Sequence, residues 1–281
     1  MKYRYCGLIL CSPQPLPELK TVPEETTPDI RIRQTTLGTA PSNARAYGPN
    51  WAVREGEGWW WLGDRIIFRI RKGEIDIDNR NIEHSLARSL LLEAPMVLAM
   101  IFDGIFCLNA ASVSHEGKTT VICGAAGSGR STAAARLALR NGHLITDSLA
   151  RIQCTEESAK VVPQGSGSLL WPDSLTELDL DAMTGSPIRS ELLLRRISLK
   201  QATKTQSIDH LYWRNPRSTS HLIRETPTQT LGPRRQFARL ATMTAGRMWI
   251  DAAGVSTVHF QWCLKAAKQL RISPAPDSLF F

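Results

Sequence analysis

The stretch TTVICGAAGSGRSTAAARLALRNGHLITDS, residues 119–148, decides how the rest of the chain is read. It opens with Thr119–Cys123, an apolar run of the length and β-branched content of a buried strand. Gly124, Ala125, Ala126, Gly127, Ser128, Gly129, Arg130 and Ser131 follow as a G-x-x-x-x-G-R-S loop, and Thr132 leads out of it. Glycine at three of its first six positions lets backbone N–H groups turn inward around an anion with no Cβ in the way. Ser131–Arg140 (STAAARLALR) is a strong helix former whose positive N-terminal end would face the same anion. Gly142 stands where a left-handed residue would close that helix. Leu144–Thr146 then reads as a short strand that delivers Asp147 to its end.

This order of strand, glycine loop, helix and strand is the arrangement of a nucleotide-phosphate cradle. The usual lysine of such a loop is Arg130, which keeps the charge but replaces a compact ammonium with a planar fork. Ser131 is placed to offer a hydroxyl to Mg²⁺. Asp147 is placed to help hold that ion or to take a proton from an attacking hydroxyl.

Upstream, residues 3–10 (YRYCGLIL) and 29–33 (DIRIR) read as strands. Gly58–Leu62, Arg65–Ile70 and Glu74–Ile77 alternate around Gly63-Asp64 and Lys72-Gly73 as a meander, with Trp59-Trp60-Trp61 read as core and edge packing. Asn81 is placed to cap a helix running to about Asp103, broken or kinked at Pro95. Ile105–Ser114 is a strand joined to Thr119–Cys123 by the polar turn 115–118. Downstream come Ala150–Cys154, a Gly/Ser-rich loop over 164–168, and helical patterns at Arg234–Thr244 and Thr257–Leu270. The reading is an α/β protein with a β-rich part over 1–80 and a nucleotide-binding core with a basic extension over 81–281.

Composition narrows the class. Hydrophobic residues make up 42% and charged residues 21%, the balance of a globular protein. The apolar run Ala94–Phe102 is too short to span a bilayer, and Met1–Leu10 lacks the apolar core of a secretory signal, so a cytoplasmic, non-membrane protein is expected. Six cysteines without a CxxC pair suit reduced thiols better than disulfides or zinc. The net charge of +8 is uneven, since residues 184–281 hold 15 Lys/Arg against 5 Asp/Glu. That suits an acidic partner or nucleotide. Nucleic acid is not indicated, because no basic run is interleaved with aromatics.

Leu108-Asn109-Ala110-Ala111-Ser112-Val113, the glycine loop, and Gly142-His143-Leu144-Ile145-Thr146-Asp147 together resemble the C-terminal catalytic domain of HPr kinase/phosphorylase. More narrowly they resemble the HPr-kinase-like serine kinases that tailor lasso-type and other ribosomal peptides. Tyr5-Cys6-Gly7-Leu8, Leu16-Pro17-Glu18-Leu19 and Leu170-Trp171-Pro172-Asp173-Ser174 extend the likeness over about residues 3–175. The resemblance implies an HPr-kinase-like core of mixed sheet and flanking helices behind the β-rich part. It implies ATP and Mg²⁺ as cofactors and a serine on a peptide or small protein as acceptor. It also implies residues 124–132 as the phosphate site, Ser131 and Asp147 at the metal, and Asp147 with Arg130 at the chemistry. Relatives form higher oligomers, which leaves a homo-oligomer open. Three positions depart from the pattern: Arg130 for lysine, Ser148 for a second aspartate, and Asn109 for histidine in a Leu-His-Ala segment. They keep a second reading beside the kinase, a nucleotide-binding or partner-recognition protein with little phosphoryl transfer.

Overall fold

The computed structural model describes residues 1–39, 42–63, 65–80, 82–181, 183–189, 192–214 and 231–279. Its contacts divide the chain into two units, Met1–Phe106 with Gly246–Phe260, and Cys107–Ala245 with Gln261–Phe281.

The first unit is built on one sheet of nine strands: β1 (Lys2–Tyr5), β2 (Leu8–Cys11), β3 (Lys20–Thr21), β4 (Ile30–Gln34), β5 (Ala46–Gly48), β6 (Trp51–Arg54), β7 (Glu57–Leu62), β8 (Arg65–Arg71) and β9 (Glu74–Ile77). Their order is β3-β1-β2-β4-β9-β8-β7-β6-β5. The run 3–10 is therefore a hairpin and not one strand. Cys6 and Gly7, at φ 50° and 73°, form a tight turn that pairs Tyr5 with Leu8. The meander over β7–β9 is present and antiparallel. Trp59 is buried, and Trp60 meets Trp249 edge to face with ring centroids 6.3 Å apart, so these indoles pack within the unit.

Two helices, α1 (His84–Leu91) and α2 (Ala94–Phe102), accompany the sheet, and Met96, Met100 and Ile101 are fully buried. The chain breaks between them at Leu92-Glu93 because Pro95 sits in the first turn of α2. Asn81, the expected cap, lies outside the described residues; Glu83 occupies the cap position without a side-chain hydrogen bond. By length and composition His84–Phe102 could cross a membrane, but it forms two helices and more than half of it is buried. Because α2 lies on β7, β8 and β9, the units divide at residue 106 and not near 80.

The second unit contains β10 (Cys107–His115), β11 (Lys118–Gly124), α3 (Arg130–Leu139), β12 (His143–Thr146), β13 (Leu149–Cys154), β14 (Ala159–Val161), β15 (Ser168–Leu170) and α4 (Pro172–Glu177). It continues with β16 (Ser186–Arg189), β17 (Leu192–Ile197), β18 (Gln206–Ser207), β19 (His210–Arg214), α5 (Pro233–Met243), α6 (Ser256–Gln269, from Gln261 onward) and β20 (Ile272–Pro274). Its main sheet runs β18-β14-β13-β10-β11-β19-β20, with β12 also paired to β10, and β15-β17-β16 form a small separate sheet. The sheet is mixed: β11–β19 and β19–β20 are parallel, while β10 is antiparallel to β11, β12 and β13. Thus β12 runs parallel to β11 with β10 between them.

Alternation along β10 separates the two faces of this sheet. Leu108 and Ala110 join the larger cluster with Val121, Ile145, Leu211 and Leu240, whereas Ala111 and Val113 meet Ala134 and Ala138 of α3. Small side chains at that second contact let the helix lie close to the strands.

The end of α3 departs from expectation in one residue. Asn141 holds the left-handed conformation (φ 67°), and the Gly142 N–H reaches back to Leu137 O at 3.1 Å, a Schellman closure shifted by one position. Gly142 is needed for space instead, since a Cβ there would lie 2.6 Å from Leu137 O and 2.9 Å from Ser114 O. Gly142→Ala is expected to lower the unfolding free energy by about 1–3 kcal/mol, as overpacked sites do. Asn141→Gly should leave it nearly unchanged, and urea melts of both variants compare the two.

Candidate functional site

Because β11 and β12 are parallel, their C-terminal ends lie at the same edge of the sheet, and each ends in a residue of interest. From β11 the loop 124–129 runs into α3. Gly127 and Gly129 take left-handed conformations (φ 77° and 86°), and Gly129 is the N-cap of α3 with no side-chain capping bond. The N–H groups of the first helical turn have no intrahelical acceptor, so this end offers donors and a partial positive charge. Inside the loop the Ser128 N–H bonds Ala125 O at 3.2 Å. The Ser128 side chain is buried with no hydrogen-bond partner for Oγ, and a Cβ on Gly124 would stand 2.6 Å from it.

From β12 the chain reaches Asp147, which is 1% exposed. A turn with φ +62° at Ser148 follows, and the Leu149 N–H bonds Asp147 O at 2.7 Å across it, a γ-turn of the rare strained sense. This turn lies between the two stretches of β10 that pair with β12 (112–114) and β13 (107–109). The Asp147 N–H donates to Gln164 Oε1 at 2.7 Å, and its Oδ2 accepts the Leu169 N–H at 2.7 Å. Its other oxygen, Oδ1, is buried without a hydrogen-bond partner.

Burial pushes the Asp147 carboxyl above its ordinary range. The Ser131 hydroxyl, the Leu169 N–H and the charges of Arg130 and Arg196 act against that shift without cancelling it. Ser131 thus stands near enough to favour the carboxylate, though it does not reach bonding geometry at Oδ1. Burial likewise lowers the Arg130 guanidinium against the pull of Asp147 and Cys123, and Arg130 Nη1 is buried without a partner. An unpaired buried polar atom costs stability. Here Ser128 Oγ, Arg130 Nη1 and Asp147 Oδ1 all lack a partner, and their three residues line a single opening.

That opening is a cleft of about 400 Å³. Ala126 to Thr132 and Asp147 line it, so the structure brings the loop and the carboxylate together; Gly124 and Ala125 start the loop behind that wall. Ser148 also lines the cleft, whereas Asn109 is exposed on β10 and is not among the lining residues. Of the three departures from the family pattern, two therefore face the cleft. The opposite wall, which the loop motif did not reveal, comprises Leu169, Trp171, Asp173, Ser174, Glu177 and Leu194. The sequence signalled this wall only through its Gly/Ser-rich loop and the LLWPDS run. Gln164, which holds the Asp147 backbone, carried no signal in the sequence.

Other candidates settle into structural roles. Burial pushes the Cys123 thiol up to about 12, so it stays protonated. His115 bonds Arg140 O at 2.9 Å, and His143 is exposed.

The donor set fits a metal–triphosphate. Mg²⁺ bound with phosphates uses one or two protein oxygens and keeps its waters, and Ser131 Oγ, alone or with the open Asp147 Oδ1, would meet that number. Among the described residues no group of three or more His, Cys, Asp or Glu forms a metal cage. Neither a protein-family model nor a curated protein matches this chain.

Proposed function

We propose that this chain is a P-loop phosphotransferase with an HPr-kinase-like core, which moves the γ-phosphoryl group of ATP to a serine hydroxyl on a peptide or small protein. The observation that carries the reading is the open Oδ1 of buried Asp147, beside Ser131 and Arg130 at the mouth of the glycine loop. ATP with Mg²⁺ would supply the transferable group and neutralise its charge. Residues 124–132 would hold the phosphates through backbone N–H groups and the N-terminus of α3. Arg130 would steady the charge at the transferring end, and Ser131 Oγ would hold the ion, leaving Asp147 Oδ1 for the acceptor. As the acceptor oxygen bonds phosphorus and the bond to the departing diphosphate breaks, Asp147 would orient the acceptor hydroxyl and take its proton. Burial raises the pKa of Asp147, which strengthens the carboxylate as a base.

The test is binding followed by transfer. The full chain should bind ATP with Mg²⁺ by calorimetry and place label from γ-labelled ATP on serine within a peptide library. Arg130→Ala is expected to weaken ATP about 10- to 100-fold, the size of one charge-assisted contact, with Arg130→Lys within a few-fold of the parent. No ATP binding at all would sink the proposal.

A second reading has two observations in its favour. Ser148 lines the cleft where a second carboxylate would add charge for a metal, and Arg130 brings a fork where lysine is usual. A nucleotide-binding protein that recognises a partner without transferring phosphate would bind ATP and label no serine.

A further inference from the structure

The wall of the cleft beyond the glycine loop carries three apolar side chains, Leu169, Trp171 and Leu194, beside the polar Asp173, Ser174 and Glu177. Leu169 and Trp171 lie two residues apart along the line of β15 and so point to the same side. The antiparallel register pairs Leu169 with Arg196 and Leu170 with Arg195, so the next step along sets Trp171 beside Leu194. All three line the cleft, and Trp171 is 52% exposed, the large side chain of the opening that stays half open to solvent.

This wall is tied to the loop at one defined place. Thr132 Oγ1 and Ser174 Oγ are hydrogen-bonded at 2.8 Å, and Arg136 Nη2 donates to Glu177 Oε1 at 2.8 Å. The two bonds hold α4, with Trp171 at its N-cap, against the first two turns of α3. Trp171 therefore stands on the Thr132 side of the loop's exit. Asp147 and Ser148, where transfer would occur, belong to the β12–β13 turn, which the Leu169 N–H ties to this same wall through Asp147 Oδ2 at 2.7 Å. A ligand with its phosphates along 124–132 would share one cleft with this side chain, within which its non-phosphate end must lie.

We infer that Trp171, flanked by Leu169 and Leu194, is the shelf on which a nucleobase stacks, so that the cleft selects a nucleoside triphosphate over a bare polyphosphate. The inference rests on the phosphate-binding reading of the loop. Stacking suits the position because every base presents a π-face, and an indole offers wide contact at low conformational cost.

The experiment titrates ATP and inorganic tripolyphosphate, each with Mg²⁺, into the full chain and into Trp171→Ala and Trp171→Phe. The expected result is that the parent binds ATP more tightly than tripolyphosphate. Trp171→Ala should weaken ATP about 10- to 100-fold, the size of one base–aromatic stack, and leave tripolyphosphate within about twofold. Trp171→Phe should recover most of the loss. Equal affinity of the parent for both ligands overturns the shelf while sparing the phosphate site. So does an unchanged ATP affinity in Trp171→Ala, including the case in which only the Michaelis constant for an acceptor peptide rises. A parent that binds neither ligand overturns the phosphate reading and the shelf with it. A half-exposed side chain is expendable to folding, and the melting profile of each variant verifies that.

Discussion

Asp147→Asn is expected to reduce phosphoryl transfer by about 100- to 10,000-fold while ATP still binds, the loss typical of a removed general base. Asparagine keeps the acceptor for the Leu169 N–H and the backbone bond to Gln164, so the turn around Ser148 should persist. What disappears is the charge on Oδ1, the oxygen that the surrounding protein leaves open. The same substitution should raise the melting temperature of the ligand-free protein. The sign follows from linkage: burial raises the folded pKa of Asp147 above its unfolded value, so its ionised form opposes folding once pH climbs through that range. At neutral pH the neutral amide removes that opposition. Single-turnover rates, ATP titrations and thermal melts together distinguish this outcome from simple unfolding, in which activity, binding and melting temperature would all fall.

Asp76→Ala is expected to cost the first unit about 3 kcal/mol of stability without touching the cleft, as happens when one partner leaves a buried charge network. The side chain of Asp76 is 2% exposed and sits in register between Arg33 of β4 and Arg69 of β8. Arg33 Nε reaches its Oδ1 at 3.0 Å, and Arg69 Nη2 and Arg71 Nη2 reach Oδ2 at 2.7 and 2.8 Å. Burial works against the charge of Asp76, but the hydrogen bonds and charges of Arg69 and Arg33 outweigh it and hold the pKa below the ordinary value. Without the carboxylate, three guanidinium groups would face one another, each still partly open to water, which keeps the loss toward the low end of the usual range. A depressed carboxylate stabilises the fold above its unfolded pKa of about 4 and loses that contribution as pH falls through the folded value. The gap in urea-melt stability between parent and variant should therefore be full at neutral pH and shrink below about pH 4. Asp78, held low by its bonds from Arg80, should give the parent the same acid sensitivity.

The parts of this protein that its sequence determined are those in which neighbours along the chain do the physical work. Three glycines, an alanine-rich helix and a β-branched run before them are local devices, so the loop, α3, β11 and the place of Asp147 at the end of β12 were legible. The meander and the break at Pro95 were legible for the same reason. Where two adjacent residues compete for one backbone role, sequence pattern misplaced it: Asn141 took the left-handed turn because Gly142 had to fit against Leu137 O and Ser114 O. The hairpin at Cys6-Gly7 was hidden inside an apolar run that reads equally well as one strand.

Tertiary structure alone decided what Asp147 can do. Its backbone is held by Gln164 and its Oδ2 by Leu169, 17 and 22 residues further on, and only that pairing leaves Oδ1 as the open, buried oxygen. Tertiary structure likewise inserted β10 between β11 and β12, left Asn109 outside the lining of the cleft, and brought Trp171 to its wall. It also returned Gly246–Phe260 to the first unit. Glycine spacing and helix propensity act over one or two turns of chain. Which oxygen of a carboxylate goes unsatisfied depends on partners that meet only after the sheet has closed.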